Sequence, residues 1–187
     1  MTKSQAILFL KQNQPLHNDE YLAKNPGILK IYDEVRQFFI KHPDEDALDL
    51  FLGSFGDYDG FGVYQLVEEV FYPFSNDIVV PLLLKHLRSN HTGILYWNAQ
   101  IAAGFADVKL IEPLLFLLNK HDEDVVWASV FALSQIKDGR VDNLFRQKYT
   151  FLSDKDAIKE ILDEYLGSVA SQHIRAFILN HKRHKRT

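Results

Sequence analysis

The chain contains no cysteine, which excludes disulfides, thiolate nucleophiles and cysteine-ligated zinc and makes a reducing intracellular compartment the expected setting. A long hydrophobic run is also missing. The longest, Ile78 to Leu84, is interrupted by Pro81 and falls far short of a membrane span. The first residues, MTKSQAILFLKQNQ, carry one early lysine, but the apolar core AILFL is too short for a signal peptide and no A-x-A-like site follows. A soluble, cytoplasmic protein with no membrane partner is therefore expected. No G-x-S-x-G elbow, phosphate-cradling glycine loop or nucleophile with a local base signature occurs, so no catalytic residue and no cofactor is assigned. Strand-like alternation flanked by hairpin turns is absent as well, and the expected class is all-α.

One sign of charge is scarce in a particular place. Between Lys41 and Lys85 there is no lysine or arginine, whereas Asp44, Glu45, Asp46, Asp49, Asp57, Asp59, Glu68, Glu69 and Asp77 all fall there. The formal net charge of −4 conceals this asymmetry, because Lys182, Arg183, Lys185 and Arg186 crowd the end of the chain. Residues 1–181 hold 17 basic against 25 acidic groups, net −8. Such a body repels nucleic acid and attracts basic surfaces.

What is present is ordinary for a folded domain: 187 residues, 47% hydrophobic and 25% charged, enough to bury a core. Ser4 is a plausible N-cap for a short helix ended by Pro15, a second short piece spans Asn18 to Lys24, and Asn25-Pro26-Gly27 reads as a turn. Ile28, Ile31, Tyr32, Val35, Phe38 and Phe39 recur at three and four, predicting an amphipathic helix from Ile28 to His42. Pro43, followed by three acids, opens a helix that stops at Gly53 to Gly56, and a further helix is expected from about Val63 to Phe71.

From Asn76 onward the chain repeats itself. Val125 to Asp138, VVWASVFALSQIKD, places Val125, Ala128, Ala132, Leu133 and Ile136 where Ile94 to Asp107, ILYWNAQIAAGFAD, places Ile94, Trp97, Ile101, Ala102 and Phe105, 31 residues earlier. The helix pairs predicted are Asp77 to Ser89 with Ile94 to Ala106, then Val108 to Lys120 with Asp124 to Lys137, each first helix carrying an early proline, Pro81 or Pro113. Asp124 is the expected cap of the second pair's second helix. A weaker third copy runs from Val141 through Phe151, turns at Ser153-Asp154 and continues from Ala157 to Leu166; Gly167 suits a C-terminal cap, and a last helix spans Ser168 to about Asn180. The expected organisation is a helical segment over 1–75 packed on repeats and a C-terminal helix over 76–181, with a basic tail over 182–187.

The segment VVWASVFALSQIKD resembles the second helix of short bacterial HEAT-like repeats, which read V-R-x-A-A-x-x-A-L-x-x-I-G-D. The resemblance is strongest over residues 107–138, good over 77–107 and loose over 139–167. It implies a short right-handed α-solenoid of stacked antiparallel helix pairs, with second helices lining the inner side. The family's usual arginine after the first valine is replaced by Leu95 and Val126, so the polar contacts it makes between repeats are not expected here.

Residues that the repeat does not require are the candidates for function. Tyr96 and Trp127 align at a place usually polar in the family, and Phe131 lies one turn after Trp127. They either form an aromatic patch on the inner face or pack beneath neighbouring helices, as large aromatics commonly do. The acidic belt is either a docking surface or the solvated side of two helices. The candidate partner-binding set is thus Asp44, Glu45, Asp46, Asp49, Asp57, Tyr58, Asp59, Glu68, Glu69, Tyr96, Trp127 and Phe131. Asp57, Asp59, Gly62 and Glu68 occupy positions 1, 3, 6 and 12 of a calcium loop, but Phe61 offers no oxygen at position 5, and a glycine-rich turn is the favoured reading. His86, His91 and His121 lack the spacing of a zinc helix.

Two functions follow. The first is a non-catalytic module, monomeric or weakly oligomeric, that binds a basic protein; the resemblance and the charge together imply an immunity protein neutralising a basic toxin. The alternative is an enzyme resembling the HEAT-like alkylpurine DNA glycosylases, which the acidic body disfavours because duplex DNA needs a positive groove. A scaffold or a relative of the phycobilin lyases is implied by the same short repeat.

Overall fold

A computed structural model of the chain describes residues 1–152, 156 and 158–169, and every regular element among them is helical. None of the described helices is long and apolar enough to cross a membrane.

The first helix, α1 (Lys3–Gln12), begins two residues earlier than its apolar pattern suggests. Thr2, not Ser4, is the cap: its hydroxyl accepts from the Gln5 N–H at 3.3 Å, and the Gln5 side chain accepts from the Thr2 N–H at 2.8 Å. That reciprocal pair satisfies two of the donors a helix start leaves open. Then come α2 (Asp19–Lys24), capped by Asn18, and α3 (Pro26–Lys41), which carries Pro26 in its first turn and buries Tyr32, Val35 and Phe39. Pro43 is outside the next helix; Asp44 caps a 3-10 turn, Glu45–Ala47, that leads into α4 (Leu48–Leu52). The helix expected near Val63 to Phe71 is instead a 3-10 turn, Tyr64–Val70.

The second half contains α5 (Asn76–His86), α6 (Thr92–Gly104), α7 (Ile111–Leu117), α8 (Glu123–Ser134), α9 (Gly139–Leu152) and a helix α10 over 158–169. Pro113 is in the first turn of α7, where a missing N–H matters least, but Pro81 lies inside α5. Asp122, rather than Asp124, caps α8 by accepting from the Val125 N–H at 3.0 Å. The expected stop at Gly167 does not occur, since helix continues through it to Val169. The turn at Ser153-Asp154, most of the last predicted helix and the basic tail lie outside the described residues.

Asp107 and Asp138 do the same local work as Asp44. Each accepts from the backbone N–H two residues on, at 2.8 Å from Lys109, 2.9 Å from Arg140 and 3.1 Å from Asp46, and so opens the following helical segment.

Helices α6 and α8 make the most extensive pairing, α7 packs on α8, and α5 packs on both α4 and α6. Small residues permit the close approach: Ala99 and Ala102 on α6 and Ala128 and Ala132 on α8 are all buried. All ten residues at the five repeated positions, from Ile94 to Ile136, are buried too. Helix α6 is covered on nearly every side, consistent with its almost wholly apolar sequence. Asn98 ties it to the first half, donating to the Leu52 carbonyl at 2.8 Å. Buried apolar side chains from Ala6 to Tyr165 belong to one contiguous core.

Candidate functional site

The feature that these packings create is an acidic cleft of about 790 Å³. Three segments distant in sequence build it: the loop at 57–59, the first turn of α6 at Thr92, Gly93 and Tyr96, and the start of α8 at Asp122 and Asp124, with Asp19 of α2, Gln65 and Trp97 completing the walls. The starts of α6 and α8 thus open on the same cleft. Among the described residues that line it none is lysine or arginine, while five are aspartates.

Gly93 is what allows the loop and α6 to meet. A Cβ there would stand 1.8 Å from the Gly56 carbonyl oxygen, so any other residue forces the two backbones apart. Trp97 fixes the loop from the other side, donating its indole N–H to the Tyr58 carbonyl at 2.9 Å. Its ring is held in turn by Phe55, stacked at 5.9 Å, and by Tyr64 and Tyr96, both edge-on. His91 caps α6, and its Nε2 lies 3.6 Å from an Asp57 oxygen.

The electrostatics of the cleft follow first from burial and then from neighbouring like charges. Burial pushes the Asp19 carboxyl above its usual value, and the charges of Asp59 and Asp57 push the same way; its Oδ1 is buried with no hydrogen-bond partner. Burial likewise raises the Tyr96 hydroxyl, with Asp124 and Asp59 adding to the effect, while Gln100 donates to its oxygen at 3.3 Å. The aspartates are spread over the walls rather than gathered at a point: among the described residues no group of three or more His, Asp or Glu is arranged to hold a metal ion.

The chain matches no family model and no curated protein.

Of the residues singled out in the sequence, Asp57, Tyr58, Asp59 and Tyr96 come together in the cleft. The remaining acids are dispersed, and several are answered by basic side chains from outside their own stretch. Lys3 bridges Asp44 and Asp46, Lys85 and His86 bind Asp49, and the buried Arg36 reaches Glu69 at 3.4 Å. Glu68 accepts from the Tyr72 hydroxyl at 2.7 Å, pushing that phenol up to about 12. Glu45 is exposed and lines no part of the cleft. Trp127 and Phe131 are half-buried, with rings stacked 5.6 Å apart and 7° from parallel. Sequence reasoning passed over Asp19, Asp122, Asp124 and Trp97. Asp122 and Asp124 stand in what reads as an inter-helix turn, Asp124 only as a cap, and Trp97 at a core position, and nothing local marks Asp19 as part of this cleft.

Proposed function

We propose that the chain is a non-catalytic protein-binding module that receives a basic protein on this acidic, aromatic-walled cleft. The observation that carries the proposal is the lining itself, five aspartates beside Tyr58, Tyr96 and Trp97 with no lysine or arginine among them. A wall carrying carboxylates and no balancing lysine or arginine attracts a cationic partner.

The architecture that fits this use is a short right-handed solenoid of HEAT-like helix pairs. Supporting it, Asp107 and Asp138 open successive segments 31 residues apart, and Asp44 opens another about two periods before Asp107. The packing of α5 on α4, of α6 on α8 and of both α5 and α8 on their own partners has the neighbour-to-neighbour order of a stack. In that register the cleft is the edge where successive inter-helix turns line up. An immunity protein that captures a basic toxin in the cytoplasm is the role we infer, since fast, charge-steered capture is what such a protein needs.

The test is association of the full chain with the protein encoded by the neighbouring gene, and separately with duplex DNA, followed by surface plasmon resonance. A basic partner is expected to bind with a rate that falls as salt rises, and Asp57→Asn/Asp59→Asn/Asp124→Asn is expected to slow association by about tenfold or more at low salt. Capture unchanged in that variant removes the cleft from the interface, and tight binding of DNA at low salt favours the enzyme reading instead. Absence of any complex with the neighbouring product removes the immunity role.

A further inference from the structure

We infer that the loop from Asp57 to Gly62 is a preshaped anchor whose Tyr58 and Phe61 rings insert into an apolar pocket, rimmed by lysine or arginine, on the basic partner. This rests on the binding-module reading and adds to it the residues that hold the partner once charge has brought it in.

The backbone of the loop is unusual in a way that its own packing does not explain. Tyr58 has φ 64° and Phe61 φ 54°, a left-handed conformation that bulky side chains rarely adopt. Gly60 and Gly62 are left-handed as well, at 56° and 81°. The shape is held by short turns, with the Gly62 and Tyr64 N–H groups both donating to the Asp59 carbonyl and Val63 donating to Gly60, and by the Trp97 indole on the Tyr58 carbonyl. A connection needing only this shape is best made from glycine and asparagine. Aromatic side chains in such a position are expected where burial of the ring offsets the strain. Here the rings are in solvent: Tyr58 is 77% exposed and Phe61 59%.

The surroundings continue the pattern. Tyr58, Phe61, Leu66 and Tyr72 are four of the ten large apolar side chains exposed among the described residues, and they fall between positions 58 and 72. Exposed apolar side chains are thus concentrated in this stretch of the chain. Asp57 and Asp59 flank Tyr58 directly, so the same few residues present rings and negative charge together. That combination specifies the occupant, an apolar socket with a cationic rim. Rigid aromatic side chains with few torsions lose little freedom on binding, which is why such residues dominate the affinity of interfaces.

The experiment is selection of phage-displayed random peptides on the full chain, with the enriched peptides then synthesised and titrated. Enriched sequences are expected to join lysine or arginine to a large apolar residue. Their affinity is expected to fall roughly thirtyfold in Tyr58→Gly/Phe61→Gly, corresponding to about 2 kcal/mol. The thermal midpoint of that variant is expected to hold or rise, because glycine accepts the left-handed backbone without strain. A lowered midpoint means that the rings serve the fold and overturns the inference, and Phe61→Asn, which also tolerates this conformation, repeats that comparison with one ring left in place. No enrichment, or peptides bound equally well by the glycine variant, overturns it also. Binding retained by the glycine variant but lost in Asp57→Asn/Asp59→Asn/Asp124→Asn would leave the acidic cleft standing without the anchor. The opposite result would leave the anchor and remove the charge.

Discussion

Gly93→Ala adds a single methyl group and sets two physical effects against each other. Helix propensity favours the change, since alanine is better than glycine inside a helix by about 1 kcal/mol. The contact opposes it. The new Cβ would lie 1.8 Å from the Gly56 carbonyl oxygen and 2.7 Å from its carbon, whereas relaxed carbon–oxygen contacts begin at about 3.3 Å. Backbone must therefore move by about 1.5 Å on one side or the other. Neither side yields freely, because α6 is enclosed by the core and the Gly56 N–H is tied to the Tyr64 hydroxyl at 3.3 Å. Overpacking of this kind costs typically 1–3 kcal/mol and occasionally more, so after the gain in propensity a net loss of up to about 2 kcal/mol is expected, larger where neither backbone yields. In a chain of this size each kcal/mol lost lowers the melting midpoint by roughly 2–4 °C. Gly104→Ala is the control: it makes the same chemical change in the last turn of the same helix, with nothing within 4 Å of the new carbon, and should be neutral or stabilising by up to about 1 kcal/mol. Urea unfolding of both variants, followed by tryptophan fluorescence and circular dichroism, decides the matter. A Gly93→Ala midpoint equal to or above that of Gly104→Ala would refute the close approach of the loop and α6, and with it the geometry of the cleft.

Leu133→Ala should destabilise by about 2–5 kcal/mol, because Leu133 is fully buried in α8 against α6; a urea midpoint equal to wild type would show that the repeated positions are misassigned. Burial alone would push the Asp49 carboxyl up, but hydrogen bonds from Lys85 and His86 together hold it below the ordinary carboxylate value. Its contribution is therefore present above about pH 4 and lost as pH falls through its folded value, so Asp49→Asn should flatten the acid limb of a stability-against-pH curve; limbs of equal steepness would contradict this. Asp19 has the opposite sign. Burial first, and the charges of Asp59 and Asp57 second, disfavour its charged form, so Asp19→Asn should be as stable as wild type or more so at neutral pH, with the difference vanishing below the unfolded carboxyl value of about 3.9; a variant less stable at pH 7 would refute the raised carboxyl.

The helical class, the elements from α5 to α9 and the ten buried positions of the two aligned copies were legible from spacing, because a helix encodes its buried face within a few residues of itself. Boundaries shifted where a side-chain cap intervened, as with Thr2 and Asp122, since capping depends on which oxygen reaches which N–H. The short 3-10 turn over Tyr64–Val70 looked helical because one turn of apolar spacing is common to both forms.

The site was legible only in pieces. Aromatic and acidic residues could be picked out, but Asp44, Asp46, Asp49 and Glu69 find their cations at Lys3, Lys85 and Arg36, positions that no local window associates with them. Asp19, Asp59 and Asp124 line one cleft because folding brings α2, the loop and the start of α8 to its walls. Periodicity is a property of neighbours along the chain, and it specified the helices. A charged cleft is a property of neighbours in space, and tertiary packing alone selected which acids are neutralised and which are left facing outward together.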